Sequence, residues 1–396
     1  MPKIKVENVT KIFGNNPEAA LKMMQEGKKK DEILEKTKQA VGVADVSFEV
    51  EKGELLVIMG LSGSGKSTLI RCLNRLIEPT GGKIFVDDED VTMMNQEELL
   101  KLRRKKYGMV FQRFALFPHR TVLANTEYGL EIQNVEASER REKAMQALEL
   151  VGLKGWEENY PNQLSGGMQQ RVGLARALAV DPDILLMDEA FSALDPLIKR
   201  EMQDELIALQ NKVQKTIVFI THDLDEAIKI GDRIILLKDG AIVQQGTPEE
   251  ILTNPATEYV EKFVENVDIS KVLTAQSIMK KSSTLAFPKD GPRTVLRKME
   301  EIGISSIFVV NKDYQVQGVV MADAAAELAS RGGKDLDEII IRDIPKVAPD
   351  TPINELYPLF EGISFPLAVV NDEDKLQGVI VRGSILAGLA RRRDEE

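Results

Sequence analysis

The spacing of apolar positions predicts alternating strands and helices over the first two thirds of the chain. Apolar and polar residues alternate over residues 3–12, which is typical of a strand, and we interpret it as an edge strand. Residues 54–59 form a nearly continuous apolar run and predict a strand that is buried on both faces. Similar runs at residues 184–187, 217–220 and 233–237 are separated by stretches with helical spacing. This order of elements indicates an α/β domain with a largely parallel sheet.

Two segments interrupt this alternation with helical patterns of their own. Residues 17–40 are rich in Lys, Glu, Ala and Met and lie between two strand-like segments, so we expect an inserted helical arm there. Residues 133–153 carry Glu, Arg and Ala at helical spacing and suggest a helical subdomain set into that sheet.

The last third of the chain contains an internal repeat. Val309-Val310-Asn311 recurs as Val369-Val370-Asn371, and Gln317-Gly318-Val319 recurs as Gln377-Gly378-Val379, so both offsets are 60 residues. We therefore expect two copies of one β-α-β-like unit.

Composition narrows the class of protein. The 396 residues are enough for two or three domains, and the net charge of −11 disfavours a protein that wraps nucleic acid. The single Cys72 has no partner for an internal disulfide, so a reducing cytoplasm is expected. No stretch approaches the ~20 apolar residues of a membrane span, and residues 1–7 lack the pattern of a signal peptide.

A phosphate-binding loop is predicted by Gly60-Leu-Ser-Gly-Ser-Gly65-Lys66-Ser67. Its glycines allow backbone N–H groups to converge on phosphate oxygens, and the following helix adds a positive field. We expect Lys66 to reach the β- and γ-phosphates and the Ser67 hydroxyl to bind Mg²⁺. A plain glycine-rich turn is disfavoured because a strand precedes the motif and a helix follows it.

The apolar run 184–187 ends in Asp188 and Glu189. Acidic residues are common at strand ends, but beside a P-loop the first is placed to hold Mg²⁺ through water. The second is then placed to act as a general base on the attacking water.

A second anion site is suggested by Leu164-Ser165-Gly166-Gly167, which stands before a helix-like run. With it the chain resembles the ATP-binding cassette (ABC) family, whose signature motif this segment matches. The resemblance implies an ABC-type P-loop NTPase fold with a helical subdomain. It also implies a head-to-tail homodimer, in which Ser165 and Gly167 of one chain close over ATP held by Lys66 of the other.

The resemblance assigns roles to four further residues. Gln112 matches the Q-loop, Asp195 in Ser192-Ala-Leu-Asp195 matches the D-loop, and His222 matches the switch histidine. Phe13 stands where the family places an aromatic ring against adenine, although a core phenylalanine is an alternative. A histidine in an apolar strand is more often a packed side chain, but the position of His222 after the next strand favours the switch role.

The resulting assignments are as follows. The catalytic residues are Glu189, His222, Gln112 and Lys66. The ATP-binding residues are Phe13, Gly60, Ser62, Gly63, Ser64, Gly65, Lys66, Ser67, Thr68, Gln112, Ser165, Gly166, Gly167 and Asp195. The Mg²⁺ ligands are Ser67, Gln112 and Asp188.

Three features together are similar to the ATPase subunits of glycine betaine/proline betaine importers: the arm, residues 117–126 and residues 187–196. This resemblance implies a peripheral protein on the cytoplasmic face of the cell membrane, with a permease and a substrate-binding protein as partners and no nucleic acid. It implies ATP-driven uptake of a quaternary-amine compatible solute. The alternatives are an importer of another solute, such as an amino acid or a polyamine, a soluble non-transport ABC ATPase, and a purely regulatory nucleotide-binding module.

The tail resembles a tandem pair of cystathionine-β-synthase (CBS) domains. We predict an ATP-binding domain over residues 1–266 and α+β CBS repeats over 271–330 and 338–396. Many such pairs bind ribose through a Gly-x-x-Ser/Thr-x-x-Asp motif, from which this chain departs, since Met321 and Ala324 follow Gly318. The importer likeness suggests cyclic di-AMP as a ligand and gating as the role. A dimerising module that binds nothing is the alternative.

Two basic runs, Lys28-Lys29-Lys30 and Arg103-Arg104-Lys105-Lys106, are candidates for contact with anionic lipid or with acidic permease loops. We favour solvated faces for both.

Overall fold

The computed structural model describes residues 1–112, 114–265, 267, 272–281 and 284–385. The chain divides into two compact units, Met1–Val267 and Asp268–Glu396. The residue limits predicted for the domains stay predictions. No described helix combines the length and apolar character needed to cross a membrane.

The elements of the first unit alternate much as the apolar pattern predicts. The strands are β1 (Ile4–Phe13), β2 (Ala40–Val50), β3 (Leu55–Met59), β4 (Gly81–Val86), β5 (Glu89–Asp90), β6 (Tyr107–Phe111), β7 (Ile184–Asp188), β8 (Thr216–Thr221), β9 (Arg233–Lys238) and β10 (Ala241–Gly246). The helices are α1 (Pro17–Gln25), α2 (Lys30–Thr37), α3 (Lys66–Leu73), α4 (Gln96–Lys106), α5 (Val122–Ile132), α6 (Ala137–Leu150), α7 (Gly166–Ala179), α8 (Pro196–Val213), α9 (Leu224–Ile230), α10 (Pro248–Thr253) and α11 (Glu258–Val264).

The larger sheet positions the candidate site. Its order is β10-β9-β3-β8-β7-β6, and its strands pair in parallel except for the β9–β10 pair. Every residue of β3 is buried, which fits its continuous apolar run. The carboxyl ends of parallel strands meet at one edge of a sheet, so the loops after β3, β7 and β8 lie side by side. These loops carry the P-loop, Glu189 and His222.

The smaller sheet corrects one expectation. Its order is β2-β1-β4-β5, so β1 is an interior strand that pairs antiparallel with β2 and with β4. The prediction of an edge strand at residues 3–12 was wrong. Alternation of apolar and polar residues indicates that one face of a strand is less buried than the other. It does not indicate whether the strand has a neighbouring strand on one edge or on both.

The inserted arm consists of α1 and α2. Ala20 of α1 and Ile33 of α2 are buried against Ile12 and Val41 on the first two strands. The arm is therefore fastened to the strands that flank the predicted adenine position.

The helical subdomain contains α5, α6 and α7, which pack on one another. Buried Asn125 organises the loop before α5: it accepts from the Phe117 backbone N–H at 2.8 Å and donates to the Phe117, Arg120 and Thr121 carbonyls at 3.0–3.1 Å. This network accounts for the compact turn at residues 117–121.

The second unit shows the repeat directly. It contains α12 (Ala275–Ile278), α13 (Pro292–Ile302), β11 (Ser306–Val310), β12 (Val316–Met321), α14 (Ala322–Ser330), β13 (Lys346–Val347), α15 (Ile353–Leu356), β14 (Leu367–Val370) and β15 (Leu376–Ile380). Val309 pairs with Gly318 as Val369 pairs with Gly378, and the register shift that follows is the same. The 60-residue offset thus marks equivalent hairpins.

Candidate nucleotide-binding site

The P-loop connects β3 to α3 and requires glycine for steric reasons. Gly65 precedes α3 with φ of +87°, and a Cβ there would lie 1.9 Å from the Gly42 carbonyl oxygen. Gly60 has φ of +151°, and a Cβ there would lie 2.2 Å from the Leu237 carbonyl oxygen. Glycine at both positions therefore allows the loop to pack directly against neighbouring backbone. The inner side of the loop is then available for the N–H groups that bind phosphate.

Lys66 is the buried cation of this loop, 6% exposed. Its ammonium donates to the Gly60 carbonyl at 3.1 Å and lies 3.5 Å from a Glu189 carboxylate oxygen. A buried ammonium needs such partners to offset its lost hydration. The P-loop lysine and the candidate base are thereby brought together.

Ser67 and Asp188 are also brought together. The Ser67 hydroxyl donates to Asp188 Oδ1 at 2.8 Å, and Arg71, one helical turn further along α3, donates to Asp188 Oδ2 at 3.1 Å. Arg71 was missed by the sequence reasoning. The available signal was its four-residue spacing from Ser67, which places both side chains on one face of α3.

Glu189 is the meeting point of several loops. Its φ of +48° is unusual for a residue other than glycine and turns the chain sharply after β7. Gln112 Nε2 donates to its carboxylate at 3.1 Å, and His222 Nδ1 lies 3.6 Å from it. Gln112 also donates to the Ser192 hydroxyl at 3.1 Å. Of the three predicted Mg²⁺ ligands, Ser67 and Asp188 contact each other. Gln112 instead donates a hydrogen bond to Glu189, the residue that follows Asp188.

The turn that carries His222 is fixed from both sides. Asp223 caps α9 and pairs with Lys199 at 2.8 Å, and its N–H donates to the Thr221 hydroxyl at 3.0 Å. Burial opposes ionisation of Asp223, but the hydrogen bond and charge of Lys199 and the backbone N–H groups of α9 together outweigh it, and the pKa of this carboxyl is lowered. His222 itself is exposed at the site.

The arrangement fits Mg²⁺ and a polyphosphate. Ser67 and Asp188 offer hydroxyl and carboxylate oxygens, the ligand types that Mg²⁺ prefers. The P-loop and Lys66 offer backbone N–H groups and one ammonium to anionic oxygens. Among the described residues no group of three or more His, Cys, Asp or Glu side chains could hold a metal ion.

Phe13 lies at the end of β1 and is 41% exposed. A Cβ at Gly42 would lie 2.8 Å from the Phe13 ring and 3.2 Å from the Thr68 methyl, so both side chains lie close to Gly42. Lys11 Nζ lies 5.2 Å from the ring centroid. The exposed ring beside the P-loop helix disfavours the core alternative, and its adenine contact stays a prediction.

The signature residues lie apart from this cluster. Ser165 caps α7, and its hydroxyl accepts from the Met168 N–H at 3.3 Å. A Cβ at Gly166 would lie 3.7 Å from the Leu194 side chain, and one at Gly167 would lie 2.5 Å from Ile198 on α8, so the helix start packs beside the D-loop and the start of α8. Asp195 caps α8 by accepting from the Leu197 and Ile198 N–H groups. Within the described part of the chain, no hydrogen bond links Ser165–Gly167 to the P-loop.

The other P-loop residues, Ser62, Gly63 and Ser64, make few contacts with the cluster around Glu189. Ser62 is exposed, and the Ser64 hydroxyl is buried without a hydrogen bond among the described residues. Lys30 from the arm donates to the Gly63 carbonyl at 3.1 Å. This contact was missed by the sequence reasoning, which treated the Lys28–Lys30 run as a solvated face.

The second basic run is partly structural. Arg103 donates to the Asn74 and Arg75 carbonyls at 2.8 and 2.6 Å, and Lys106 pairs with Asp87 and Asp183 at 2.9 and 2.8 Å. Two of the four basic residues in this run, Arg103 and Lys106, therefore form contacts that hold α4 in place. The preference for a wholly solvated face was wrong at these positions.

Cys72 on α3 is a core residue. It is fully buried, and burial raises the pKa of its thiol to about 12. The thiol therefore stays protonated at neutral pH and has little reactivity.

Comparisons with known proteins identify the family of the chain. The sequence model of the ABC transporter family matches residues 43–192, and that of the CBS domain matches residues 336–391. The dimeric structure of MJ0796, a bacterial ABC transporter cassette, is 36% identical with a TM-score of 0.53, covering 62% of this chain and 98% of that one.

Three curated relatives match nearly the whole length. The Bacillus subtilis glycine betaine transport ATP-binding protein OpuAA is 57% identical over 98% of this chain and 92% of its own. The Listeria monocytogenes glycine betaine/carnitine transport protein GbuA is 54% identical, over 98% of both chains. The Escherichia coli glycine betaine/proline betaine transport protein ProV is 48% identical, also over 98% of both. The chain belongs to the ABC transporter family, in the group of ATP-binding subunits that these relatives represent.

Proposed function

We propose that this protein is the ATP-hydrolysing subunit of an ABC importer for glycine betaine or a related quaternary-amine compatible solute. The observation that carries the proposal is the convergence of Lys66, Ser67, Asp188 and Glu189 at one sheet edge. The near full-length similarity to betaine transport subunits supports the class of solute.

Each residue at the sheet edge has a distinct task in hydrolysis. Bound Mg-ATP supplies an electrophilic γ-phosphorus and a leaving ADP oxygen. Lys66 and the P-loop N–H groups hold the phosphate oxygens, while Ser67 and Asp188 orient the metal. Glu189 accepts the proton of the attacking water.

Gln112 and His222 are proposed as sensors of the γ-phosphate because both contact Glu189. Gln112 also contacts Ser192 in the D-loop. A displacement of the Glu189 carboxylate would therefore affect both the Q-loop and the D-loop. This linkage supports a coupling of hydrolysis to motion of the subunit.

Two copies of the chain are needed in this proposal. Ser165 and Gly166 are exposed at the start of α7 and pack beside the D-loop, away from their own P-loop. We propose that they close over the ATP of a second copy. The dimer is placed on the cytoplasmic face of the cell membrane, bound to a permease that works with a substrate-binding protein.

The tail is proposed to gate transport in response to cyclic di-AMP. Its support is a cavity of ≈ 620 Å³ within the second unit, lined by Lys280, Lys281, Arg382, Phe308 and Phe360 among others. Two lysines suit phosphates and aromatic rings suit bases. Saturable heat on titrating cyclic di-AMP into the full chain is expected, with weaker binding after Lys281→Ala. A flat titration contradicts this part of the proposal.

The main experiment reconstitutes the chain with its membrane partners in lipid vesicles. We expect glycine betaine to stimulate ATP hydrolysis, Lys66→Ala to lower the rate by at least about 100-fold, and the exposed control Lys52→Ala to keep it. Hydrolysis that ignores betaine but responds to an amino acid or a polyamine would support the importer of another solute. Hydrolysis that responds to no solute would contradict an importer role.

A further inference from the structure

The last helix of the first unit, α11, lies near the P-loop although it is not part of that motif. Tyr259 lies on α11, eight residues before the boundary at Val267, and its ring packs against Phe263 with centroids 5.9 Å apart. The ammonium of Lys238 lies 4.4 Å from the centroid of the Tyr259 ring. This separation is within the range of a cation–π interaction.

Lys238 is the last residue of β9, next to the turn to β10, and this end of the β9–β10 hairpin contacts the P-loop at two points. On one side of it, the Leu237 carbonyl oxygen would lie 2.2 Å from a Cβ placed on Gly60. On the other side, the Gly240 N–H donates to the Ser64 carbonyl at 2.9 Å. The turn between β9 and β10 therefore contacts both the start and the middle of the phosphate-binding loop.

The Tyr259 hydroxyl lies near the backbone of Leu61, which stands between these two points in the P-loop. Its oxygen is enclosed and makes no hydrogen bond within the described part of the chain. Burial raises the pKa of the hydroxyl, and the backbone N–H of Leu61 opposes that rise without reaching hydrogen-bonding geometry. A buried hydroxyl without a partner is unfavourable, so a small movement of Leu61 toward it is stabilising.

We propose that Tyr259 and Lys238 are positioning residues that hold the P-loop in the shape that binds the triphosphate. The inference rests on the proposed ATPase function and adds two residues that lie outside its motifs. Lys238 holds the Tyr259 ring beside the end of the β9–β10 hairpin that contacts the loop, and the Tyr259 hydroxyl supports the Leu61 backbone. The segment that leads into the second unit is thereby fastened beside the phosphate site.

The test measures Mg-ATP binding to the full chain by calorimetry, together with KM and kcat of the reconstituted importer. Tyr259→Phe removes only the hydroxyl, and with it the hydrogen bond to the Leu61 N–H that we expect to form when the loop holds the triphosphate. Kd and KM for ATP should therefore rise by about threefold to tenfold, the effect of one hydrogen bond. We expect Lys238→Met to do the same and Lys238→Arg, which keeps the cation over the ring, to restore values within about twofold. In all three variants kcat at saturating ATP stays within about twofold of wild type.

Tyr160→Phe is the matched control, since Tyr160 is an exposed tyrosine of the same unit. Unchanged Kd and KM in both Tyr259→Phe and Lys238→Met overturn the inference. A lowered thermal midpoint with unchanged ATP affinity also overturns it, because it shows a role in stability alone. If the wild-type chain binds no Mg-ATP, the proposed function itself is refuted.

Discussion

Replacing Glu189 by glutamine tests the proposed base with minimal change in shape. The carboxylate lies 3.5 Å from Lys66 Nζ, 3.1 Å from Gln112 Nε2 and 3.6 Å from His222 Nδ1. The carbonyl oxygen of a glutamine amide still accepts from Lys66 or Gln112, so the loops keep their contacts. The amide is unable to take a proton from water. A positioned general base contributes about 10²- to 10⁴-fold, and we expect kcat to fall by that factor.

The same substitution is expected to tighten ATP binding. It removes a negative charge from beside the phosphate site and frees Lys66 from its 3.5 Å ion pair. Two unit charges about 5 Å apart interact by roughly 1–3 kcal/mol at effective dielectric constants between about 80 and 20. The lower value corresponds to an affinity gain of about fivefold. Slower turnover with tighter binding is the signature of a lost base, whereas a damaged site loses both.

The assay compares single-turnover hydrolysis and equilibrium ATP binding for the wild type and Glu189→Gln. Glu201→Gln is the matched control, because Glu201 lies on α8 outside the site. We expect the control to match wild type in both measurements. Hydrolysis by Glu189→Gln at the wild-type rate with ATP bound would refute the assignment of the base. Weaker ATP binding would refute the electrostatic reasoning.

Three further predictions follow from other contacts. Arg71→Gln removes a charged hydrogen bond to the metal-binding carboxylate, so the Mg²⁺ concentration for half-maximal hydrolysis should rise about threefold to tenfold, with partial rescue by Arg71→Lys. Gly65→Ala places a methyl group 1.9 Å from a carbonyl oxygen of β2, and thermal unfolding should show a loss of about 2–3 kcal/mol together with loss of ATP binding. Burial opposes ionisation of Asp183, but hydrogen bonds from Lys106 and Lys3 outweigh it and hold the pKa of this carboxyl at about 2, below its ordinary value. This stabilisation is present above pH ~4 and is lost as the pH falls toward ~2; since the side chain is 40% exposed, screening limits it to about 1 kcal/mol. Urea unfolding of Lys106→Met should show part of that loss at pH 7, because Lys3 still pairs with Asp183, and no difference from wild type near pH 2.

The sequence predicts the chemistry of the site better than its surroundings. The P-loop is local in sequence, and its glycines are required by the turn itself. Asp188 ends β7 next to β8, and His222 follows β8, so parallel pairing brings their loops together. Strand order and motif spacing are therefore sufficient by themselves to group these residues.

Contacts between distant segments were not predictable in this way. The Lys30 contact with Gly63 depends on how the arm folds back over the first strands. The bonds of Arg103 depend on the path of the chain at Asn74 and Arg75. Basic residues that are exposed to solvent and basic residues that form ion pairs or hydrogen bonds have the same sequence pattern, because their long side chains are amphipathic in both cases. Only the packing of α4 on the sheet distinguishes them.

The structure also divides the predicted site between two parts of the first unit. One part is the sheet edge, where register fixes Asp188 beside Ile220 and Met59 beside Thr221. The other is α7, whose exposed N-terminus carries Ser165 and packs on the D-loop. Strand register fixes the spacing of residues on one sheet edge, so they suit bond breaking, which tolerates little error in distance. A helix start on a separate subdomain suits a contact that forms and breaks in each cycle. The division of motifs between sheet and helix therefore matches a protein that turns hydrolysis into motion.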